Sequence, residues 1–249
     1  MSEIQPAYTD RRRAESFGVA AEQYDRHRPR YPQPLIADLV TSAHMRVLDV
    51  GAGTGIAAKQ LAEAGADVLA VEPDERMARV VAGKSIRVEQ STFEKWQPAG
   101  RDFDLVVFAQ SFHWVDPDVA LRKIAAILRP GGRLALLANR VVPTAPTQQE
   151  FDEINADYLD LTARTVLNAD EEVATMLEKR GFSVERRHCA EQLHYTAEDY
   201  LDLVFTYSNH LVLDAAAQDE LRSRLAQRIG AGGVDAQNDA LAVICTPNR

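Results

Sequence analysis

Nine residues constrain this chain more than any others: Val47-Leu48-Asp49-Val50-Gly51-Ala52-Gly53-Thr54-Gly55. The first four read as a strand buried on both faces, which needs helices above and below it. The glycines that follow permit left-handed backbone and let the chain approach a ligand with no Cβ in the way. Thr54–Glu63 then reads as a helix. Strand, glycine turn and helix together open a βαβ unit of a doubly wound sheet, where ligands bind at the carboxyl ends of the strands.

The rest of the chain repeats that alternation. Arg46–Val50, Val68–Glu72, Ile86–Gln90, Phe103–Ala109 and Arg133–Ala138 are short apolar runs expected as strands. Pro73–Val81 reads as a helix, and Pro117–Leu128 carries Val119, Leu121, Ile124, Ile127 and Leu128 on one face before an Arg129-Pro130-Gly131-Gly132 stop. Beyond Asn139 come helical stretches at Gln148–Thr162, Ala169–Arg180, Ala197–Thr206 and Ala215–Ile229, with strands at Val184–Cys189 and Leu241–Cys245.

The fold class this predicts is α/β: a doubly wound seven-stranded sheet, mostly parallel, with a helical cap. One domain over residues 1–249 is expected, with 1–35 a leader or lid and 36–139 a cofactor-binding core. Residues 140–249 supply the remaining helices, the last two strands and an acceptor cap.

Glu72 closes the second strand, so its carboxylate stands at the strand tip next to the glycine turn, where it can accept hydrogen bonds from both hydroxyls of a ribose. Dinucleotide sites ask for G-x-G-x-x-G. Here Gly51 and Gly53 meet the first two positions, but the third falls on Ile56, whose branched side chain obstructs close helix–strand packing.

The formal net charge of -9 repels a phosphate backbone, so no nucleic acid partner is expected, and the N-terminal arginines Arg11, Arg12, Arg13, Arg26, Arg28 and Arg30 read as a solvated leader. The two cysteines, Cys189 and Cys245, have no disulfide-framework or C-x-x-C spacing. Neither a signal core nor a run near the roughly 18 apolar residues of a membrane span occurs, so no membrane contact and a cytoplasmic location are expected. His188, Cys189 and His194 invite a metal, yet neighbours on a strand point to opposite faces, and no metal is expected. Oligomeric state is left open.

Taken together, the D-x-G-x-G-x-G loop, Glu72, Phe17–Pro29 (FGVAAEQYDRHRP), Phe103–Trp114 (FDLVVFAQSFHW) and Leu128–Gly132 (LRPGG) resemble the class I S-adenosylmethionine-dependent methyltransferases. More narrowly, they are similar to the small-molecule group of trans-aconitate methyltransferases. The resemblance implies that the last strand, Leu241–Cys245, inserts antiparallel beside the fifth, with S-adenosylmethionine as cofactor, S-adenosylhomocysteine as product and a small-molecule acceptor. It assigns the backbone of Gly51, Ala52 and Gly53 to the methionine moiety and Asp49 to the loop and the ligand's amino group. Glu72, with Pro73 beside it, goes to the ribose. Thr92 and Phe93 go to adenine, and the Ala109 carbonyl closes the methionine pocket.

Tyr24 and Arg28 are implied near the cofactor's carboxylate, Arg being suited to a bidentate grip. His113 and Trp114, just past the fourth strand, and Tyr207 and Ser208 in the later helices are implied at the acceptor, with His113 the candidate general base. Phe93 as a core aromatic and His113 as a pocket wall are the competing readings. The expected activity is methyl transfer to oxygen, nitrogen or carbon of a small molecule. A nicotinamide-dependent oxidoreductase and a cofactor-binding protein without transferase activity are the alternatives.

Overall fold

The computed structural model describes residues 21–161 and 169–248. The chain runs α1 (Ala21–His27), α2 (Gln33–Leu39), β1 (Arg46–Val50), α3 (Ile56–Glu63), β2 (Asp67–Glu72), α4 (Glu75–Gly83), β3 (Arg87–Gln90) and β4 (Phe103–Ala109). Then follow α5 (Pro117–Ile127), β5 (Leu128–Ala145), α6 (Gln148–Asn155), α7 (Ala169–Lys179), β6 (Phe182–Tyr195), α8 (Ala197–Val204), α9 (Ser208–Leu211), α10 (Ala215–Ile229) and β7 (Val234–Pro247).

The seven strands form one sheet in the order β3-β2-β1-β4-β5-β7-β6. All pairings are parallel except those of β7, which is antiparallel to β5 on one side and β6 on the other. The sheet is therefore the mostly parallel, doubly wound one expected, with only its last strand reversed. Strand order turns outward in both directions from the β1–β4 pair, and the glycine loop leaves β1 at that switch point.

Alternate residues of each strand serve opposite faces. Leu48, Val50, Val106 and Phe108 pack with Leu121 and Ile124 of α5 and Leu177 of α7. Val47, Leu105 and Val107 pack with Leu35, Ile36 and Leu39 of α2 and Leu61 of α3. Nearly all these side chains are fully buried, which is why β1 and β4 read as continuous apolar runs.

The main departure from the sequence reading is the length of the last three strands. Past Leu137, which faces the end of β4, residues Ala138–Ala145 continue beside β7, and Cys189–Tyr195 line its other side. The result is a three-stranded antiparallel arm projecting roughly 25 Å beyond the carboxyl edge, at about 3.3 Å per residue. Arg140, Thr144, Glu191, Gln192, His194, Asp235 and Gln237 give it no apolar run to recognise. At its root, β5 starts at Leu128 and bulges before re-pairing at Arg133, so the glycine pair ends the helix as expected but lies within the strand. Helix α3 starts two residues later than the spacing suggests because Gly55 takes φ 80° at its N-cap. Helix α6 stops at Asn155; Thr162, the expected end, lies outside the described residues.

The arm carries the cap. Helix α6 leaves the end of β5, and α8 to α10 span the gap between β6 and β7. Phe151 of α6, Tyr200, Leu201 and Val204 of α8, Leu221, Leu225 and Ile229 of α10 and Val234 of β7 form a separate apolar cluster. Phe151 and Tyr200 stack at 5.1 Å between ring centroids.

The return into β7 turns on Gly233, at φ 71°, where an added Cβ would lie 2.3 Å from the Tyr195 carbonyl oxygen. Gly233→Ala is expected to cost on the order of 1–3 kcal/mol locally. Hydrogen exchange of Ala197–Ile229 amides should then quicken about tenfold or more, with β1 and β4 amides unchanged. Unchanged cap exchange would show that this turn does not hold the arm closed.

Candidate active site

The glycine loop is tied to the tip of β2. Val71 O accepts the Gly51 and Ala52 amides at 2.8 and 3.2 Å. The Glu72 carboxylate accepts the Gly53 amide at 2.7 Å and the Asp74 amide at 2.9 Å. Glu72 is 5% exposed, so the carboxylate expected at a strand tip is a buried one that also builds the loop. Each of its oxygens keeps acceptor capacity beyond the amide it already receives. Pro73, next to it, is exposed. Gly51 takes φ 63°, and a Cβ there would lie 2.8 Å from the Ser111 Cβ, so only glycine fits. Ser111 in turn donates to Val50 O at 2.5 Å, stitching the β4 exit beneath the loop.

Asp49 lies under the loop with no exposure, and neither carboxyl oxygen has a hydrogen bond of ordinary geometry, the Ala58 amide interacting with it only more loosely. Burial raises its pKa to about 7; the Ala58 amide pulls the other way, and the charge of Glu72 adds to the rise. Burial likewise raises Glu72 to about 7, opposed by the Asp74 and Gly53 amides and reinforced by the charge of Asp74. Thr54 Oγ1 is a second buried polar atom without a partner. A pair of buried acids, acceptor-only once ionised, beside a close-approach loop fits an ammonium group and ribose hydroxyls.

Past β3, Thr92 is half-buried, whereas Phe93 is 3% exposed and its ring packs in the core against Trp96 and edge-on to Phe108. Its ring is thus a core aromatic. Lys123 of α5 donates to the carbonyls of Phe93, Glu94 and Trp96 at 2.6, 2.9 and 2.8 Å, clamping this turn, and burial lowers its pKa. Beyond Ala109, Gln110 adopts φ 56°, a conformation rare outside glycine, and its side chain donates to Asn139 O at 2.9 Å.

The described part of the leader is fastened from three sides. Gln60 of α3 accepts the Tyr31 amide at 2.9 Å and donates to Tyr31 O at 2.7 Å. Asn139 donates to Pro29 O at 3.1 Å. Arg28 donates to Thr206 Oγ1 and Thr206 O at 2.8 and 3.0 Å, and its guanidinium lies between the rings of Tyr24 and Tyr207, 4.6 and 4.3 Å from their centroids. His27 faces Asp199 and Asp202 at 3.7 and 3.4 Å. Arg11, Arg12, Arg13 and Phe17–Ala20 lie outside the described residues.

The fold therefore brings Asp49, Gly51, Ala52, Gly53 and Glu72 together at one edge, and joins Tyr24, Arg28 and Tyr207 in one stack with Ser208 opening the next helix. His113 is exposed, half stacked on Trp114 at 4.7 Å. His188 and His194 pair with Asp239 and Asp235 across the arm, and among the described residues no group of three or more possible metal ligands forms. Sequence reasoning missed Ser111, Gln60, Lys123 and Asn139. Each acts through a backbone partner far along the chain, which leaves no local pattern to read.

Comparison with known proteins follows the same lines. The methyltransferase domain family matches residues 24–189. An uncharacterized methyltransferase of Mycobacterium tuberculosis is 33% identical over 232 residues, covering 92% of this chain and 91% of its own. The fold is similar to that of an S-adenosylmethionine-dependent methyltransferase from Thiobacillus denitrificans, solved with S-adenosylhomocysteine, at a TM-score of 0.53 and 15% identity over 93% of this chain and 98% of that one.

Asp49 and Glu72 make ligand-free stability depend on pH. Folded, both hold their protons up to about pH 7, whereas their ordinary values are 3.8 and 4.5. Between those limits the unfolded chain has released protons that the folded chain retains, so stability falls as pH rises and levels off above about 7. Urea unfolding across this interval is expected to show the decline, and Asp49→Asn to make it shallower. An unchanged slope in the variant would show that Asp49 ionises freely when folded.

Proposed function

This chain belongs to the S-adenosylmethionine-dependent methyltransferases, and from that premise we propose that it methylates an oxygen, nitrogen or carbon atom of a small molecule enclosed between the carboxyl edge and the cap. The observation that carries the cofactor side is the unpartnered, buried Asp49 carboxyl beneath a loop that Glu72 ties to β2. The dinucleotide alternative falls with the family, in keeping with the half-buried Ile56 at the third glycine position. No helix among the described residues is long and apolar enough to cross a membrane. The net charge of -9 supports a non-nucleic-acid acceptor, and a cytoplasmic location is part of the same reading. The narrower likeness to trans-aconitate methyltransferases rests on the motifs alone.

When bound, S-adenosylmethionine supplies a methyl group activated by a sulfonium. Glu72 would accept from the ribose hydroxyls with the capacity its two amides leave, and Pro73 would border that site. Asp49 would take the ammonium, becoming fully ionised as it does so. Gly51, Ala52 and Gly53 allow close approach, the Ala109 carbonyl closes the pocket, and Thr92 with the Phe93 backbone borders the adenine. Arg28 and Tyr24 sit where the leader meets Tyr207, so the leader and the cap close together. Trp114, His113, Tyr207 and Ser208 would border the acceptor, the exposed His113 as a wall rather than a base. Because the leaving group departs neutral, positioning does most of the work, and aligned reactants can lower the barrier by on the order of 7–11 kcal/mol.

Calorimetry should show binding of S-adenosylmethionine and S-adenosylhomocysteine and none of NAD. Glu72→Ala should weaken that binding by roughly 2–4 kcal/mol, combining the lost ribose bonds with a slackened loop. Retained affinity in a folded variant would remove Glu72 from the site. Acting as a lid, Phe17–Pro32 should exchange hydrogen more slowly once S-adenosylhomocysteine is added, tightening the Gln60 and Thr206 anchors. Identical exchange with and without ligand would make the leader fixed scaffold. Release of S-adenosylhomocysteine across an acceptor library tests the transfer itself.

A further inference from the structure

The leader brings one more polar atom to the glycine-loop edge, and the folded chain leaves it unused. Tyr31 is 6% exposed, and its ring packs in the same cluster as Val47, Ala57, Val107 and Leu137. Two of these border Asp49: Val47 lies two residues before it on the same face of β1, and Val107 is its register partner on β4. Both backbone groups of Tyr31 are bound to the Gln60 side chain, which fixes the residue to the helix that leaves the loop. Its hydroxyl makes no hydrogen bond among the described residues, yet its oxygen is not sealed from solvent as those of Asp49 and Thr54 are.

The hydroxyl stands within electrostatic reach of Asp49. Burial, then the charges of Tyr24 and Asp49, push the phenol well above its ordinary value, and Arg28 opposes them. The phenol therefore keeps its proton at neutral pH and offers one O–H and two lone pairs. No hydrogen bond joins it to Asp49, whose own oxygens lack one of ordinary geometry. Two oxygens that feel each other's charge but stand apart, both short of a partner, call for a group between them that donates to both. A cation with several N–H groups meets that demand, offsetting the buried carboxylate by charge and satisfying a lone pair of the phenol. A water or a neutral hydroxyl brings no charge to do so.

We propose that Tyr31 is a cofactor-binding residue, which with Asp49 seats the ammonium group at the amino-acid end of S-adenosylmethionine. The proposal rests on the methyltransferase reading above and adds to it a leader residue that the reading leaves out. The ammonium donates one N–H to the ionised Asp49 carboxylate and another to Tyr31 Oη. Because Tyr31 belongs to the leader, the amino-acid end of the ligand holds that segment against the loop, a contact that adenine and ribose by themselves do not make.

The test is calorimetry on the full chain with S-adenosylhomocysteine, with its deaminated analogue, which keeps the carboxylate but lacks the ammonium, and with methylthioadenosine, which lacks both. The unaltered protein should bind S-adenosylhomocysteine about tenfold or more tightly than the deaminated analogue. Tyr31→Phe, which keeps the ring in its cluster, should weaken S-adenosylhomocysteine about tenfold, the order expected for a hydrogen bond to a charged group, and leave the other two ligands within about twofold. Tyr31→Met answers the same question if the phenylalanine variant does not fold. A loss of S-adenosylhomocysteine affinity below about threefold, a loss shared equally by all the ligands, or unaltered protein that binds the deaminated analogue as tightly as S-adenosylhomocysteine would each overturn the proposal. Failure of the unaltered protein to bind S-adenosylhomocysteine at all would instead overturn the methyltransferase reading on which it rests.

Discussion

One buried carboxylate, Glu72, joins the two strand tips on which the site is built. By accepting the Gly53 and Asp74 amides it locks the turn after β1 to the turn after β2. Gly51 can then lie against Ser111, which carries the same linkage across to the β4 exit. Three neighbouring strands of the switch point are thus held by two side chains, the Glu72 carboxylate and the Ser111 hydroxyl, and Asp49 is sealed beneath them. The cost is an acid pair that burial keeps from ionising freely, a cost that the proposed cationic ligand would offset. Stability and affinity therefore pull against each other at this edge, as is common where a site is prepared before its ligand arrives.

The cap depends on a different device. Parallel strands end together at the carboxyl edge, and nothing in a purely parallel sheet can project beyond it to hold helices over the crevice. The reversed β7 changes that, because β5 and β6 can both continue along it as paired strands. The helices of the cap then share one apolar cluster around Phe151, Tyr200 and Leu221, separate from the two layers that cover the sheet. Core and cap are joined through the arm and through the leader.

The leader makes that second junction polar. Arg28 reaches the cap through Thr206 and Tyr207, while Tyr31 and Pro29 are held by Gln60 and Asn139 of the core. Hydrogen bonds of this kind contribute about 1 kcal/mol each, enough in sum to seat the segment. A cation held between two aromatic rings adds orientation to that seat.

The sequence alone carried the switch-point strands, the glycine loop and Glu72 as its companion, because continuous apolar runs and glycines at a turn are local signals with local causes, whereas the reversed last strand was legible only through the family resemblance. It also carried the family, through motifs spread over most of the chain. It could not carry the length of the arm, where polar residues pair only because β7 lies between β5 and β6, nor the burial of Phe93, which depends on Trp96 and Phe108 closing round it. Gln60, Ser111 and Lys123 look like ordinary helix or turn residues until folding brings Tyr31, Val50 and the carbonyls of Phe93, Glu94 and Trp96 to them. Their partners or settings are mostly distant in the chain, and only the tertiary structure decides which polar atoms, excluded from water, must satisfy one another.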